Sequence, residues 1–351
     1  HHNTPPVIYR SESTQPTHQL SNDHTIVKLD FKGDVIGSDY INANFISGFN
    51  SDEEYIACQA PLHSTVNDFF RMIIEHNVRI VVTLTQCIEK GRLVTSKCEK
   101  YWPSSDDPDD DDMDRGDDST GSNTRSSKKA IPSMQFGDIA IELVSEEAIE
   151  SEFIIRELKL IKGDSHHSLT QYHFIQWPDF GCPQNPYSLI HLIEIIRKQY
   201  TAINSHENGI NSPILVHCSA GVGRSGTFIA VDRIMEMLTK TPGADTSLPK
   251  DITIDVFNTV CDMRRCRPNM VQTEDQYIYI YDCIKYLIDR LEGQNLQNSQ
   301  TDENTSHCDR DEKDKVDGCC LDESSVDPDH LTTGAHLTRQ ISNESCENTM
   351  L

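Results

Sequence analysis

Residues 214–229 read ILVHCSAGVGRSGTFI, an apolar run followed by a glycine-rich segment and a second apolar run. The first run, residues 214–216, predicts a strand, and the apolar residues between 227 and 238 recur at helical spacing. A tight loop that enters a helix directs several backbone N–H groups at one point, which creates a binding site for an anion. The stretch therefore predicts a strand, an anion-binding loop and a helix, in that order.

Two side chains give this loop a chemical function. Cys218 begins the loop, and Arg224 follows six positions later. The N-terminal end of a helix favours the thiolate form of a nearby cysteine, and a thiolate is a strong nucleophile. The planar guanidinium of Arg224 presents donors that match two oxygens of a phosphate group. The pair predicts covalent phosphoryl transfer to Cys218.

A second pair with the same spacing, Cys261 and Arg267, provides a comparison within the chain. No glycine lies between these two residues, and the bulky Arg264 and Arg265 occupy the position where a phosphate would bind. This segment is interpreted as a helical stretch on the surface. The spacing alone is therefore a weak indication, and the neighbouring residues carry the specificity.

The glycines at 221, 223 and 226 distinguish the first copy, because glycine permits unusual backbone angles and a close approach to an anion. They also satisfy the G-x-G-x-x-G pattern of dinucleotide-binding loops. That pattern requires an acidic residue at the end of a strand roughly 20 positions later. Here residues 240–249 read KTPGADTSLP, a loop-like stretch whose only acid is Asp245. Dinucleotide binding is therefore disfavoured.

The segment HCSAGVGRSG at 217–226 resembles the phosphate-binding loop of the cysteine-dependent protein-tyrosine phosphatases. Other segments resemble further motifs of this family in the right order, namely DYINAN at 39–44, YIACQAPLHSTVNDFF at 55–70, WPDFGCP at 177–183 and MVQTEDQY at 270–277. TQCIEKGR at 85–92 and KCEKYWP at 97–103 are similar to receptor-type members that carry a single catalytic domain. The resemblance extends over residues 22–292.

This resemblance implies a role for each matching residue. Cys218 would attack phosphorus and carry a phosphocysteine intermediate. Asp179 would protonate the leaving oxygen and later take a proton from water, which Gln272 would orient with help from Gln276. Ser225 would donate a hydrogen bond to the sulfur. The substrate would contact Asp179, Phe180, Ser219, Ala220, Gly221, Val222, Gly223, Arg224, Gln272 and Gln276.

The family implies no metal and no organic cofactor for this chemistry. His217 has two interpretations: its backbone or ring contacts favour the thiolate, or the residue is purely structural. Cys182 occupies a position where valine is more usual, and it is interpreted as a small apolar substitute.

One family feature is missing from its expected place. Members usually carry a tyrosine and an acidic residue about seven positions before the Asp-His found here at 23–24, and this tyrosine loop deepens the pocket. Pro16 and His18 occupy those positions, although Tyr9 lies further upstream. The predicted function is hydrolysis of phosphotyrosine in signalling proteins. Two alternatives stay open: a phosphotyrosine-binding module with weak catalysis, and a broader phosphatase that acts on phosphoserine or phosphoinositides.

Composition limits the partners. The net charge of −25 argues against binding to nucleic acid and to anionic membranes, and phosphotyrosine-containing proteins are the expected partners. No run of 18 apolar residues occurs, so this segment is expected not to cross a membrane, although a longer chain could attach it to one. The 12 cysteines lack paired spacing, which favours a reduced, cytoplasmic location, including the cytoplasmic side of a receptor.

The predicted organisation is one α/β domain at 22–292, with a twisted mixed sheet flanked by helices. Residues 1–21 are expected to be a ragged or truncated N-terminal segment. Residues 104–129 contain nine Asp against four basic residues and predict a disordered acidic insertion. Residues 293–351 predict a disordered acidic tail. Within the domain, residues 78–86, 136–143 and 153–161 predict strands, whereas residues 186–200 and 276–291 predict helices.

Overall fold

The computed structural model describes residues 24–33, 35–90, 94–105, 131–178, 181–206, 212–240 and 253–305. Within these ranges, the side chains of 88–96, 206 and 294–305 are not described. The chain divides into two compact units, His1–Thr301 and Asp302–Leu351. The first unit contains all the strands given below. Of the second unit, only residues 302–305 are described, as the end of a helix.

Within the described ranges, nine strands form a mixed sheet in the order β1-β2-β3-β11-β4-β10-β9-β8-β7. Their bounds are β1 Ile26–Lys28, β2 Tyr40–Ile46, β3 Tyr55–Cys58, β4 Ile80–Thr83, β7 Ser133–Phe136, β8 Ile139–Ile149, β9 Phe153–Lys162, β10 Ser165–Phe174 and β11 Ile214–His217. The strands β5 Ile88–Lys90 and β6 Val94–Ser96 form a separate antiparallel pair. This sheet confirms the predicted α/β class.

The four central strands β3, β11, β4 and β10 are parallel, whereas the outer strands pair antiparallel. Every residue of β3, β4 and β11 is buried, as expected for parallel strands covered on both faces. The hydrophobic run at 214–216 therefore lies at the centre of the sheet.

The described part of the chain contains five helices: α1 Val66–Glu75, α2 Pro186–His206, α3 Gly223–Lys240, α4 Val256–Cys266 and α5 Glu274–Thr305. One hydrophobic cluster joins Val216 of the sheet to residues of α2, α3, α4 and α5, including Ile193, Phe228, Val260 and Ile280. A second cluster joins Leu215 to α1 through residues such as Phe69. Because successive side chains of a strand point to opposite faces of the sheet, Leu215 and Val216 belong to two different hydrophobic clusters.

Several elements differ from their predicted bounds. The predicted strand at 136–143 contains a turn, because β7 ends at Phe136 and β8 begins at Ile139, with Gly137 in a left-handed conformation at φ +59°. The strand predicted at 78–86 shortens to Ile80–Thr83. Helix α3 begins earlier than residue 227 since the glycines 223 and 226 belong to it.

The predicted boundary at 292 falls inside α5, which continues to Thr305. Residues 306–351 of the predicted tail, the N-terminal segment 1–21 and residues 106–129 of the predicted insertion lie outside the described residues. Among the described residues, no helix has an apolar stretch of the length needed to cross a lipid bilayer.

Candidate active site

The loop at 218–222 connects the central strand β11 to the N-terminus of α3. It therefore lies at the carboxyl ends of the parallel strands, where ligands bind in open α/β sheets. Cys218 begins the loop, and its side chain is buried. This position places the predicted nucleophile between the neighbouring strands β3 and β4.

Four consecutive carbonyl oxygens of the loop accept hydrogen bonds from groups outside it. The donors are Ala60 N to Ser219 O at 2.9 Å, Arg267 Nη2 to Ala220 O at 3.0 Å, Arg267 Nε to Gly221 O at 2.9 Å, and Val271 N to Val222 O at 3.1 Å. The C=O and N–H groups of a trans peptide point in opposite directions. The N–H groups of residues 220–223 therefore face the inside of the loop.

Those inward N–H groups are free for a ligand as far as the structure describes the chain. No described residue accepts a hydrogen bond from the backbone N–H of Ala220, Gly221 or Val222, three of these inward groups. A ring of such donors at a helix N-terminus can hold an anion.

Glycine is required at 221, 223 and 226 mainly because neighbouring protein atoms leave no room for a Cβ. Only Gly221 among them has a positive φ, +74°, and a Cβ there would lie 2.0 Å from the carbonyl oxygen of Cys58. A Cβ on Gly226 would lie 2.4 Å from the backbone nitrogen of Val271. The expectation of unusual backbone angles at all three glycines is therefore wrong for the two that lie in α3.

Arg224 connects the phosphate loop to the acid loop, which is the segment WPDFGCP at 177–183 that carries the predicted acid Asp179. Its Nη2 donates to the carbonyl oxygen of Pro178 at 3.1 Å, and its Nη1 donates to that of Leu84 at 3.2 Å. Trp177 Nε1 donates to Gly181 O at 3.2 Å. Both flanks of the acid loop are therefore anchored. Asp179 and Phe180 themselves lie outside the described residues.

The two predicted glutamines occupy different environments. Gln276 is buried, and its Oε1 accepts the backbone N–H groups of Gln272 at 3.0 Å and Thr273 at 3.3 Å. A Cβ on Gly223 would lie 2.9 Å from Gln276 Nε2, so this side chain lies directly over the phosphate loop. Gln272 is exposed at the turn that Gln276 shapes.

Two further loop residues have buried polar groups. The hydroxyl of Ser225 is buried and has no hydrogen-bond partner among the described residues. The ring of His217 is fully buried, and burial lowers its pKa to about 4. His217 Nε2 lies 2.8 Å from the hydroxyl of Tyr101, and Nδ1 lies 3.2 Å from the carbonyl oxygen of Cys218. The ring therefore contacts the peptide of the predicted nucleophile.

A family model described as protein-tyrosine phosphatase matches residues 11–286. The chain belongs to the protein-tyrosine phosphatase family. This result confirms the resemblance drawn from the phosphate loop and its accompanying motifs.

Similar proteins include receptor-type members of this family. Receptor-type tyrosine-protein phosphatase eta of Gallus gallus is 38% identical over 252 residues, which cover 71% of this chain and 15% of that protein. Receptor-type tyrosine-protein phosphatase V of Rattus norvegicus is 37% identical over 278 residues, covering 79% of this chain and 14% of that protein. Phosphatidylinositol phosphatase PTPRQ of Homo sapiens is 35% identical over 262 residues, which cover 75% of this chain and 9% of that protein. The chain thus spans a small part of these relatives.

Arg267 belongs to the site, although its sequence context predicts a position on the surface. It was predicted to lie in a surface helix, but it follows the last residue of α4 in an extended conformation and is only 2% exposed. Besides the two loop carbonyls, it donates to Oδ1 of Asn44 at 2.8 Å. The segment before it is helical as predicted, but the end of the helix turns this side chain inwards.

Asn44 was recognised only as part of the DYINAN motif. It is fully buried on β2, and its Nδ2 donates to Thr25 Oγ1 at 2.9 Å. A buried amide beside a buried guanidinium satisfies both groups. The only available sign in the sequence was the position of an asparagine on an apolar strand, which does not reveal the partner.

Proposed function

We propose that this chain hydrolyses phosphotyrosine in proteins through a phosphocysteine intermediate. The observation that carries the proposal is the phosphate loop, in which outward carbonyls are held by external donors while the inward N–H groups surround Cys218. Such preorganised donors stabilise the charge that develops on a transferring phosphoryl group. Arg224 would add a two-point contact to the same oxygens.

In the first step, the Cys218 thiolate would form a sulfur–phosphorus bond as the bond from phosphorus to the tyrosine oxygen breaks. Asp179 would give its proton to that leaving oxygen. The hydrogen bond from Arg224 to Pro178, next to Asp179 in the chain, supports this role because it holds one end of the acid loop at the phosphate site.

In the second step, water would attack the phosphocysteine and release phosphate. Asp179 would take a proton from this water, and the exposed Gln272 would orient it. The buried Gln276 would assist by holding the backbone of Gln272 and Thr273 in place. The buried hydroxyl of Ser225 would donate to the departing sulfur, since its oxygen lacks a partner among the described residues.

The remaining substrate contacts would come from Phe180 and the backbone of residues 219–224. We further propose that residues 22–292 are the catalytic domain of a longer receptor-type chain and lie on its cytoplasmic side. The names of the eta and V relatives and the small share of their length that is covered support this assignment. All eight cysteines among the described residues are free, as a reducing compartment favours.

A second candidate function is hydrolysis of phosphoinositides. It is favoured by the similarity to the phosphatidylinositol phosphatase PTPRQ and by the altered sequence where the family's tyrosine loop is expected. A shallow pocket would admit a lipid headgroup that a deep phosphotyrosine pocket excludes. The residues of that loop lie outside the described part of the chain.

The deciding experiment measures phosphate release from matched phosphotyrosine and phosphoserine peptides and from vesicles containing phosphatidylinositol phosphates, in reducing buffer. Cys218→Ser should lower turnover by more than about 1,000-fold while phosphopeptide still binds. Cys261→Ser, which alters the second Cys-x5-Arg copy, is the matched control and should keep full activity. Asp179→Ala should lower turnover by about 100-fold or more with a much smaller effect on binding.

Tyrosine-selective release that is lost in Cys218→Ser would support the proposal. Faster release from the vesicles would favour the phosphoinositide function instead. Retained turnover in Cys218→Ser would eliminate the nucleophile assignment, and binding without any release would indicate a phosphotyrosine-binding module.

A further inference from the structure

A buried chain of hydrogen bonds leads from Arg156 towards the phosphate loop. Arg156 on β9 is buried, and its guanidinium can only donate. It donates to Glu146 Oε2 at 2.5 Å, to Gln171 Oε1 at 3.2 Å and to His173 Nδ1 at 3.4 Å. Because the amide oxygen of Gln171 faces this donor, the amide nitrogen must point the other way.

The amide nitrogen of Gln171 faces two hydroxyl groups. It donates to Thr83 Oγ1 at 3.1 Å and to Tyr101 OH at 3.1 Å, and all three side chains are buried. A hydroxyl oxygen that accepts from an amide keeps its own proton for another acceptor. Tyr101 OH lies 2.8 Å from His217 Nε2, and Thr83 Oγ1 lies 3.1 Å from the same atom. The two hydroxyl oxygens are 2.9 Å apart, and if one donates to the other, the second still has a proton for Nε2.

The contact of the other ring nitrogen, Nδ1, shows where the proton of the neutral His217 ring lies. Nδ1 lies 3.2 Å from the carbonyl oxygen of Cys218, which can only accept, so the proton belongs on Nδ1. Burial keeps the ring neutral by lowering its pKa to about 4, and Nε2 is therefore an acceptor. Two independent constraints thus favour one tautomer.

Among the described residues, no other charged group makes a hydrogen bond with this series of hydrogen-bonded side chains. Arg156 and Glu146 are its charged members, and burial keeps His173 neutral by lowering its pKa to about 4. The His217 ring also packs edge-on against the ring of Phe69, with centroids 5.8 Å apart. The order of donors in the chain therefore begins at Arg156.

We propose that Gln171 is a positioning residue, which holds His217 as its Nδ1–H tautomer so that the ring donates to the carbonyl of Cys218. The Cys218–Ser219 peptide is thereby fixed with its N–H opposite that carbonyl, towards the phosphate site. A hydrogen bond to the carbonyl also polarises this N–H, which strengthens its interaction with an anion. The effect on catalysis rests on the proposed phosphatase function.

The critical variant is Gln171→Glu, which has nearly the same shape but presents only acceptors when ionised beside Arg156. The carboxylate would then compete with Nε2 of His217 for the hydroxyl protons of Tyr101 and Thr83, and donation to Nε2 would weaken. The matched control is Gln199→Glu. Gln199 accepts from Tyr172 OH at 2.7 Å and donates to Thr170 Oγ1 at 2.6 Å, without a contact to His217.

Two measurements follow the effect without using turnover. Ring ¹⁵N NMR of His217 should show the Nδ1–H form in the unaltered chain and in Gln199→Glu, and a shift towards Nε2–H in Gln171→Glu. Alkylation of Cys218 by iodoacetate, read by mass spectrometry across pH, should slow by about tenfold in Gln171→Glu, as expected for the loss of one buried hydrogen bond. Tyr101→Phe removes the same donor and should have a similar effect even if Gln171→Glu folds poorly.

An Nε2–H ring in the unaltered chain would overturn the proposal. So would a Gln171→Glu variant that is less stable but keeps both the tautomer and the alkylation profile. If the tautomer and the alkylation respond as expected while no phosphate ester is hydrolysed, the positioning role stands and the proposed phosphatase function fails.

Discussion

At the scale of single residues, the site depends on polar groups that are removed from water and paired with one another. Arg267 is the clearest case, because one buried guanidinium bonds the carbonyls of Ala220 and Gly221 and the amide of Asn44. Burial lowers the pKa of Arg267 from its usual value, although nearby thiols oppose this. The shape of the phosphate loop therefore depends on a residue that does not contact substrate.

Arg267→Met should leave two buried carbonyls and one buried amide without their donor. We expect a loss of about 2–4 kcal/mol in the free energy of unfolding and a fall in kcat of more than about tenfold in the folded fraction. Urea denaturation and phosphopeptide kinetics measure the two effects. Arg265→Met is the control, because that side chain is 73% exposed and pairs with Asp262 on the same helix. Equal effects of both variants would contradict this role.

The buried histidines should make stability depend on pH. Burial lowers the pKa of His173 and of His217 to about 4, from 6.5 in the unfolded chain. Between these values the unfolded chain binds more protons, so stability should fall as the pH drops from about 7 to 4. Each histidine should contribute a loss of about 2 kcal/mol at pH 5.

Urea unfolding at pH 7 and pH 5 tests this dependence. His173→Gln should reduce the loss between the two pH values, since glutamine can still donate to Thr85 O and accept from Arg156. His63→Gln is the surface comparison, because that side chain is 93% exposed and lies 3.7 Å from Glu99, away from the buried network. An identical pH dependence in all three proteins would exclude His173 as a contributor.

At the scale of elements, the phosphate loop is held between strand β3 and the glutamine loop, the segment MVQTEDQY at 270–277. Gly221 lies against the carbonyl of Cys58 on β3, while Gly226 of α3 lies against the backbone of Val271. Val271 itself has a positive φ of 58°, which is unusual for a β-branched residue. Backbone packed against backbone leaves no side chain that could move aside.

Gly226→Ala should therefore displace the glutamine loop, since its Cβ would lie 2.4 Å from Val271 N. We expect a loss of stability of about 1–3 kcal/mol from overpacking. Because Gln272 follows Val271, hydrolysis of the phosphocysteine should slow more than its formation. Rapid-quench kinetics should then show a burst of dephosphorylated peptide. Gly293→Ala is the control, since a Cβ there meets no heavy atom within 4 Å. Full activity in Gly226→Ala would contradict the packing argument.

At the scale of the whole first unit, a buried ionic cluster joins the sheet to the helices behind the site. Arg197 of α2 bonds Asp232 of α3 at 2.6 Å, and it also bonds Glu54 and the hydroxyl of Tyr55 at the start of β3. Arg197, Glu54 and Asp232 are all buried. Removing one member of such a cluster leaves an uncompensated charge in the interior.

Arg197→Met should lower the free energy of unfolding by about 3–5 kcal/mol, because the buried Glu54 and Asp232 lose their cationic partner and Glu236 keeps only Lys240 of its two ion-pair partners. The KM of the remaining folded protein should change little, since the cluster lies at the amino end of β3, whereas the loop lies at the carboxyl end of the parallel strands. Thermal and urea unfolding give the stability. Lys285→Met breaks a pair whose lysine is 70% exposed, and it should leave stability nearly unchanged because water screens such surface pairs. A stable Arg197→Met protein would show that the cluster is dispensable.

The sequence by itself predicted the elements whose information is local. The apolar run at 214–216, the glycine-rich loop and the helical spacing after it identified β11, the phosphate loop and α3, since each depends on neighbours in the chain. The mixed sheet flanked by helices followed from the same periodicities, and the family from the ordered motifs. The assigned roles of Asp179, Gln272 and Ser225 stay predictions.

Only the tertiary structure decided which residues support the loop. Arg267 lies 47 positions from Ala220 and 223 from Asn44, and Gln171 lies 70 positions from Tyr101. No periodicity links residues so far apart, because strands that are distant in sequence become neighbours only when the sheet forms. Sequence thus determined the chemistry that the loop can carry, whereas long-range burial of polar groups decided how that loop is held.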